Sequence, residues 1–373
     1  MVTLAAQMTA SHPSAIAAIC LMGPDASRVV NSIFKPTNAS AILQPAAIVL
    51  GNIIENNAVI DEVVVACEND NLFFIDCHGN SLIIENICRL AARAGATLTD
   101  PSRIISELYK SHYADSITIE ARLAQLKTKT VAGCKLIKNQ PQLGLTPLLK
   151  KLLDSTDLDL IRSTAANVLN DSTLANLIIH GCRIVLAGPP NSGKSTLLNA
   201  LCGRPASIVS EVPGTTRDYV SDTCTIGPLF AELTDTAGLD ITLTGENIDR
   251  QAQDFSKRMI DQADLVIFIT DAANPLTPPI DLTDKTVLHV FNKIDLLEKP
   301  PLAGIPISAK TGFGLGLLTD AILNALQIKN FDLQTPVCFT MRQKRLFESL
   351  SACPSLPHAK QIITELLNGP HEL

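Results

Sequence analysis

Eight consecutive residues constrain this chain more than any others: Gly188-Pro189-Pro190-Asn191-Ser192-Gly193-Lys194-Ser195. They follow an apolar run at 183–187 that reads as a strand, and they precede 196–202, whose spacing predicts a helix. A strand, a Gly-x-x-x-x-Gly-Lys-Ser loop and a helix in that order form a phosphate cradle. The glycines let backbone N–H groups turn inward, and the helix N-terminus adds its positive end. Lys194 is placed to reach β- and γ-phosphates, and the Ser195 hydroxyl, followed by Thr196, to hold Mg²⁺. Asn191, Ser192 and Gly193 complete the phosphate contacts.

Three further boxes follow in order. Apolar runs at 229–233, 265–270, 287–291 and 305–307 alternate with helical patterns, which predicts a mostly parallel sheet with helices on both faces. Asp235-Thr236-Ala237-Gly238 follows the first run, placing Asp235 near Mg²⁺ through water and the Gly238 amide at the γ-phosphate. Asn292-Lys293-Ile294-Asp295 follows the third. A carboxylate at Asp295 accepts two hydrogen bonds from guanine N1–H and its exocyclic amine, which adenine does not offer. A buried group left unpaired by the wrong base gives strong discrimination. Ser308-Ala309-Lys310 follows the last run and supports the base through backbone amides. Each box sits at the carboxyl end of an expected strand, where open α/β sheets bind ligands. The predicted ligand is GTP or GDP.

The rest of the chain sets the context. Its 373 residues suit two or three domains, and 46% hydrophobic against 18% charged residues exclude a disordered chain. The net charge of −7 argues against a dedicated nucleic-acid coat, and 4% aromatics with no Trp argue against a base-stacking platform. No apolar run is long enough to span a bilayer, and the start lacks a signal-peptide pattern, so a cytoplasmic protein without a membrane partner is expected. Ten cysteines stand singly with no Cys-x-x-Cys pair, as reduced core thiols rather than zinc ligands.

Residues 1–112 show strand-like runs at 15–22, 46–54, 59–66 and 72–75 and a helical stripe at 81–94, which is an α+β pattern. Residues 113–180 read as all-helical. Ile117, Ile119, Leu123, Leu126 and Val131 suggest one helix, and the leucine-rich stretches after Asn139-Gln140-Pro141 suggest two more. Residues 181–328 hold the boxes. Residues 329–373 return as helices at 341–350 and 357–367, and 274–285 is an expected surface loop. Cys77-His78 lacks an orienting carboxylate in the sequence and reads as a turn feature rather than a catalytic pair. Lys127, Lys129, Lys135 and Lys138, and Met341-Arg342-Gln343-Lys344-Arg345, read as solvated helix faces rather than RNA contacts.

Between the first two boxes lies Ser210-Glu211-Val212-Pro213-Gly214-Thr215-Thr216-Arg217-Asp218. This string, with Asn191 inside the phosphate loop, resembles the TrmE–Era branch of GTPases. The resemblance implies Thr216 as the switch threonine on Mg²⁺. It also implies Asn191 as a K⁺ ligand, aided by the loop around Ser210, Val212 and Thr215. A cation there offsets transition-state charge. The segment order is similar to the TrmE/MnmE family of tRNA-modification GTPases: an α+β folate-binding-type domain, a helical domain, an inserted GTPase domain and a returning helical part. Met22-Gly23-Pro24-Asp25-Ala26, Cys77-His78-Gly79 and Ala94-Gly95-Ala96 are family-like fragments. Membership implies GTP hydrolysis, a folate derivative, a homodimer, an MnmG-like flavoprotein partner and tRNA wobble-uridine modification.

Departures accompany the resemblance. The chain reads Asn368-Gly369-Pro370-His371-Glu372-Leu373 where the family has Cys-x-Gly-Lys, Cys20 where an arginine is expected, and a different stretch at 102–110. In Glu246-Asn247-Ile248-Asp249-Arg250, Asp249 aligns with the family's water-orienting glutamate. Glu246 is a second candidate, and solvation of an exposed helix is the alternative for both. Two other functions stay open. One is a GTP-binding switch, a degenerate paralogue without a tRNA-modifying role. The other is an Era- or Der-like ribosome-assembly GTPase, which calls for a basic module after the GTPase domain.

Overall fold

The computed structural model describes residues 2–10, 14–110, 115–203, 220–235, 258–277, 285–298 and 304–369. The chain divides into two compact units, residues 1–114 and 115–372.

The first unit runs β1 (Leu4–Gln7), β2 (Ile16–Met22), α1 (Ala26–Ile33), β3 (Phe34–Pro36), β4 (Ala47–Glu55), β5 (Ala58–Asn69), β6 (Leu72–His78), α2 (Ser81–Arg93), β7 (Thr97–Leu98) and α3 (Pro101–Lys110). Its sheet has the order β3-β4-β5-β6-β2-β1-β7. All pairs are antiparallel except β1 with β7. Asn56 and Asn57 both take positive φ between β4 and β5, the geometry a two-residue hairpin turn requires. Asn80 caps α2 by accepting from the Leu82 amide, and Ile84, Ile87 and Leu90 pack with Ile19, Val65 and Ile75. Ile104 of α3 clusters with Leu4, Ala6 and Cys20. The sequence reading did not include β1, α1, β3 or α3. Two of these are strands of only three or four residues, too short for periodicity to register.

The second unit begins with α4 (Ser116–Gln125), α5 (Val131–Asn139), α6 (Leu145–Asp154) and α7 (Leu158–His180). The single helix expected from Ile117 through Val131 is corrected to two. Thr130 is extended rather than helical, and its hydroxyl caps α5 by accepting from the Gly133 amide at 2.9 Å. The same hydroxyl donates to the Ile178 carbonyl of α7 at 3.1 Å. Gly133 is needed there, because a Cβ would stand 2.9 Å from that carbonyl oxygen.

The chain continues through β8 (Cys182–Ala187), α8 (Lys194–Cys202), β9 (Val220–Ile226), β10 (Leu229–Asp235), β11 (Leu265–Asp271), β12 (Val287–Asn292), a 3₁₀ turn (Ile294–Leu296), β13 (Ile305–Pro306) and α9 (Leu315–Ala325). The sheet order is β13-β12-β11-β8-β10-β9. Every pairing is parallel except that of β9 with β10. The edge strand β9 escaped the sequence reading because Ser221, Thr223 and Thr225 interrupt its apolar pattern.

Helices α10 (Met341–Ser351) and α11 (Leu356–Asn368) then close the bundle opened by α4–α7. Phe347, Leu350, Ile363 and Leu366 share a core with Leu136, Leu149 and Ile161. Buried polar groups join the two stretches. Gln140 donates to the Thr335 carbonyl at 3.0 Å and accepts from the Val337 amide at 3.0 Å. Ser172 accepts from the Cys338 amide at 2.7 Å. The expectation that residues 341–345 form a solvated helix start is corrected: Arg342 and Gln343 are buried. Their reason for burial is Glu120 of α4, which takes two hydrogen bonds from Arg342, at 2.6 and 3.0 Å, and one from Gln343 at 2.7 Å.

Candidate nucleotide site

Strands β8, β10, β12 and β13 run parallel, so their carboxyl ends meet along one edge, and the loop 188–193 leaves β8 there. Gly188, Asn191 and Gly193 all have positive φ, which curls the loop and aims the first amides of α8 into its hollow. A Cβ on Gly193 would collide with the Asn292 side-chain amide, so glycine is imposed by packing as well as by conformation.

Lys194 is buried, with Nζ donating to the carbonyls of Gly188 at 3.0 Å and Pro189 at 3.1 Å. The ammonium therefore lies folded across its own loop. Ser195 Oγ donates to Asp235 Oδ2 at 2.5 Å. Asp235 is fully buried, and its Oδ1 has no hydrogen-bond partner among the described residues. A hydroxyl and a carboxylate with an unpaired buried oxygen are the hard donor set that Mg²⁺ takes. Ser195 and Asp235 thus fit that ion.

Asn292 ends β12 and is buried. Its Nδ2 donates to the Ser192 carbonyl at 2.8 Å, and its Oδ1 accepts from the Ala309 amide at 2.9 Å. It clamps the phosphate loop to the loop after β13. Lys293 has a positive φ and reaches Asp271 Oδ2 at 2.9 Å. That hydrogen bond, with one from the Ala273 amide, holds the Asp271 carboxyl below the usual range. Asp271 was missed in the sequence; its position at the end of β11 was the one available signal. Asp295 is exposed in the 3₁₀ turn, while Ser308 is buried and Lys310 exposed. Thr196 is exposed in the first turn of α8.

The described structure therefore brings Asn191, Ser192, Gly193, Lys194, Ser195, Asp235, Asn292, Lys293, Asp295, Ser308 and Ala309 to one edge of the sheet. Ser210, Glu211, Val212, Pro213, Gly214, Thr215, Thr216, Thr236, Ala237, Gly238, Glu246 and Asp249 lie outside the described residues.

Elsewhere, Cys77 is buried and its thiol is pushed up to about 11, first by burial and then by Asp61. His78 Nδ1 lies 2.7 Å from Asp61 Oδ1, an orienting carboxylate that the sequence reading did not find. The Cys20 thiol is pushed up to about 12 by burial. It packs among Leu4, Ala6 and Ile104, so the position where the resemblance calls for an arginine offers no cation to a folate. Lys127, Lys135 and Lys138 are exposed. Lys129 instead lies over the Phe230 ring, 4.8 Å from its centroid, a cation–π contact rather than a purely solvated charge.

A phosphate loop on a mostly parallel sheet, a serine–aspartate pair beneath it and an Asn-Lys-x-Asp turn beside it define a P-loop GTPase. Residues 183–302 match the family model of the 50S ribosome-binding GTPase, and residues 3–102 match that of the GTP-binding protein TrmE N-terminus. The tRNA modification GTPase MnmE of Thermoanaerobacter sp. (strain X514) is 30% identical over 341 residues, covering 80% of this chain and 74% of the relative. MnmE of Thermotoga petrophila is 27% identical over 419 residues, covering 99% and 91%. MnmE of Bacteroides fragilis is 28% identical, covering 76% and 71%. The chain belongs to the family of the tRNA modification GTPase MnmE as a divergent member, and it is a GTP-hydrolysing enzyme. The GTPase family binds GTP and GDP with Mg²⁺. No described helix is long and apolar enough to cross a membrane.

Proposed function

We propose that this chain is a cytoplasmic, K⁺-stimulated guanine-nucleotide switch that acts, as a homodimer and with a flavoprotein partner, in tRNA wobble-uridine modification. The observation that carries the nucleotide part is the Ser195–Asp235 contact with Asp235 Oδ1 left unpaired, directly beneath the phosphate loop. The tRNA and flavoprotein parts rest on family membership, and the interrupted helical bundle supports the segment boundaries 1–112, 113–180, 181–328 and 329–373.

In this reading Lys194 leaves its two carbonyls for the β- and γ-phosphates when nucleotide enters. Ser195, Thr216 and Asp235 hold Mg²⁺, which neutralises developing phosphate charge when bound. The backbone at Asn191–Ser195 and at Thr236, Ala237 and Gly238 contacts phosphate. Asn191 with Ser210, Val212 and Thr215 holds K⁺, and Glu211, Pro213 and Gly214 shape that loop. Asp249 orients the attacking water, with Glu246 as the second candidate. Asp295 selects guanine, flanked by Lys293, Ser308, Ala309 and Lys310. Cys20 stands where the resemblance calls for an arginine, so that position supplies no cation to a folate.

Turnover measured in KCl and in NaCl at equal ionic strength tests the cation. Several-fold faster hydrolysis in KCl is expected, and equal rates overturn K⁺ stimulation. Wobble-uridine analysis of tRNA from a deletion strain tests the biology. Unaltered wobble bases there overturn the tRNA role and favour the switch without RNA chemistry.

A further inference from the structure

The turn that carries Lys293 and Asp295 is held in a conformation that its own residues do not favour. Lys293 has φ +65° and ψ +31°, the left-handed region that a residue with a Cβ rarely adopts. Such a residue persists only where its surroundings over-determine it. The backbone on either side is anchored. Asn292 is tied through its side chain to Ser192 and Ala309, and the Ile294 amide donates to the Ile307 carbonyl at 3.2 Å. The third anchor is the lysine side chain itself, whose Nζ donates to Asp271 Oδ2 at 2.9 Å.

Asp271 is built to take that bond. It stands opposite Asn292 in the β11–β12 register, and the next amide, that of Ala272, donates to the Asn292 carbonyl at 2.9 Å. Asp271 Oδ1 accepts from the Ala273 amide at 2.9 Å, and its carbonyl accepts from the Asn274 amide at 3.0 Å. The short turn after β11 therefore fixes the carboxylate, and Oδ2 is left for the lysine. Two positions beyond Lys293, the exposed Asp295 carboxylate makes no hydrogen bond or ion pair among the described residues. A lysine released from Asp271 would have Asp295 as its nearest acidic residue in the chain. An ion pair there would occupy the acceptors that guanine needs.

We propose that Asp271 is the positioning residue for base choice: its bond to Lys293 keeps the turn wound and keeps the lysine away from the Asp295 carboxylate. This role presupposes Asp295 as the guanine selector. Guanine and hypoxanthine differ by the exocyclic amine, one of the donors that Asp295 accepts from. Discrimination between them reports how well Asp295 is aimed and how free its oxygens are, whereas the phosphate contacts are common to both nucleotides.

GDP and IDP are competed against a fluorescent GDP analogue on the full chain and on Asp271→Ala. Preference for GDP over IDP should shrink at least about threefold in the variant, with IDP binding changed less than GDP binding. An equal loss for both nucleotides, or an unchanged ratio, overturns the proposal, because general damage to the site weakens both alike. Where Asp271→Ala fails to fold, Asp271→Asn carries the same comparison. Asp271→Ala added to Lys293→Met should leave the ratio where Lys293→Met alone sets it. A further drop shows that Asp271 does not act through the lysine and overturns the assignment. Asp295→Asn, tested with XDP in the same assay, separates the two readings. A shift to XDP with an unchanged ratio in Asp271→Ala removes the role of Asp271 alone. No shift to XDP removes the base-choice reading and this role with it.

Discussion

Asn292 Nδ2 donates to the Ser192 carbonyl at 2.8 Å, although the two residues are 100 positions apart in the chain. The bond makes the guanine-side turn a structural support of the phosphate loop.

Truncating that support with Asn292→Ala leaves the buried Ser192 carbonyl and Ala309 amide unpaired. Each such group costs about 1–3 kcal/mol. GDP affinity, read with a fluorescent analogue, should fall by about 10- to 100-fold, with a lower melting temperature even without nucleotide. Unchanged affinity and melting would show that the clamp carries no load.

Replacing Asp295 with Asn removes one acceptor and adds a donor. Preference should move from guanine toward xanthine nucleotides, with GTP affinity reduced at least about 100-fold. Competition between GTP and XTP in one binding assay decides it; unaltered GTP binding refutes the assignment of base choice to Asp295.

Arg342→Met strands Glu120, whose side chain is 0% exposed. Removing one partner of a buried pair costs about 3–5 kcal/mol. A clearly lower urea midpoint is expected, partly recovered in the double variant with Glu120→Gln, which no longer buries a charge.

Acid sensitivity has an identifiable contributor in the first unit. Arg89 donates to Glu55 through two nitrogens, and Arg93 adds a third bond. The Arg89 hydrogen bond first, with further help from Arg93, holds the Glu55 carboxyl below its ordinary value of 4.5. A carboxyl more acidic when folded contributes stability in full above its unfolded pKa and loses it as pH falls through the folded one. The melting-temperature gap between the natural chain and Glu55→Gln should be flat from about pH 7 to 5 and shrink below about pH 4.5. A gap that widens in acid contradicts this assignment.

Local spacing carried much of this fold. The strand before Gly188, the Gly-Lys-Ser turn and the helix after it occupy adjacent residues, so periodicity and turn chemistry were enough to read them. The clamp was not readable in the same way: Asn292 was assigned to the nucleotide side, and its contact with Ser192 exists only once β8 and β12 share a sheet. The burial of Arg342 was hidden for a related reason. Met341-Arg342-Gln343-Lys344-Arg345 looks like a water-facing sequence, and only Glu120, 222 positions away, makes burial affordable. The break at Leu126–Thr130 was masked by apolar residues on both sides that continue a helical rhythm.

The bundle formed by α4–α7 with α10 and α11 also orders events during synthesis. Gln140 and Glu120 leave the ribosome long before their partners Val337 and Arg342, with the whole GTPase segment in between. At about 5–20 residues per second, that wait is roughly 10–40 s. Throughout it, Leu136, Leu149 and Ile161 lack the apolar surface of Phe347, Leu350 and Ile363 that later covers them. The half-built bundle thus leaves those apolar side chains without their final cover while the inserted segment is made. Its closure marks the moment when the inserted segment has its two ends fixed in one body.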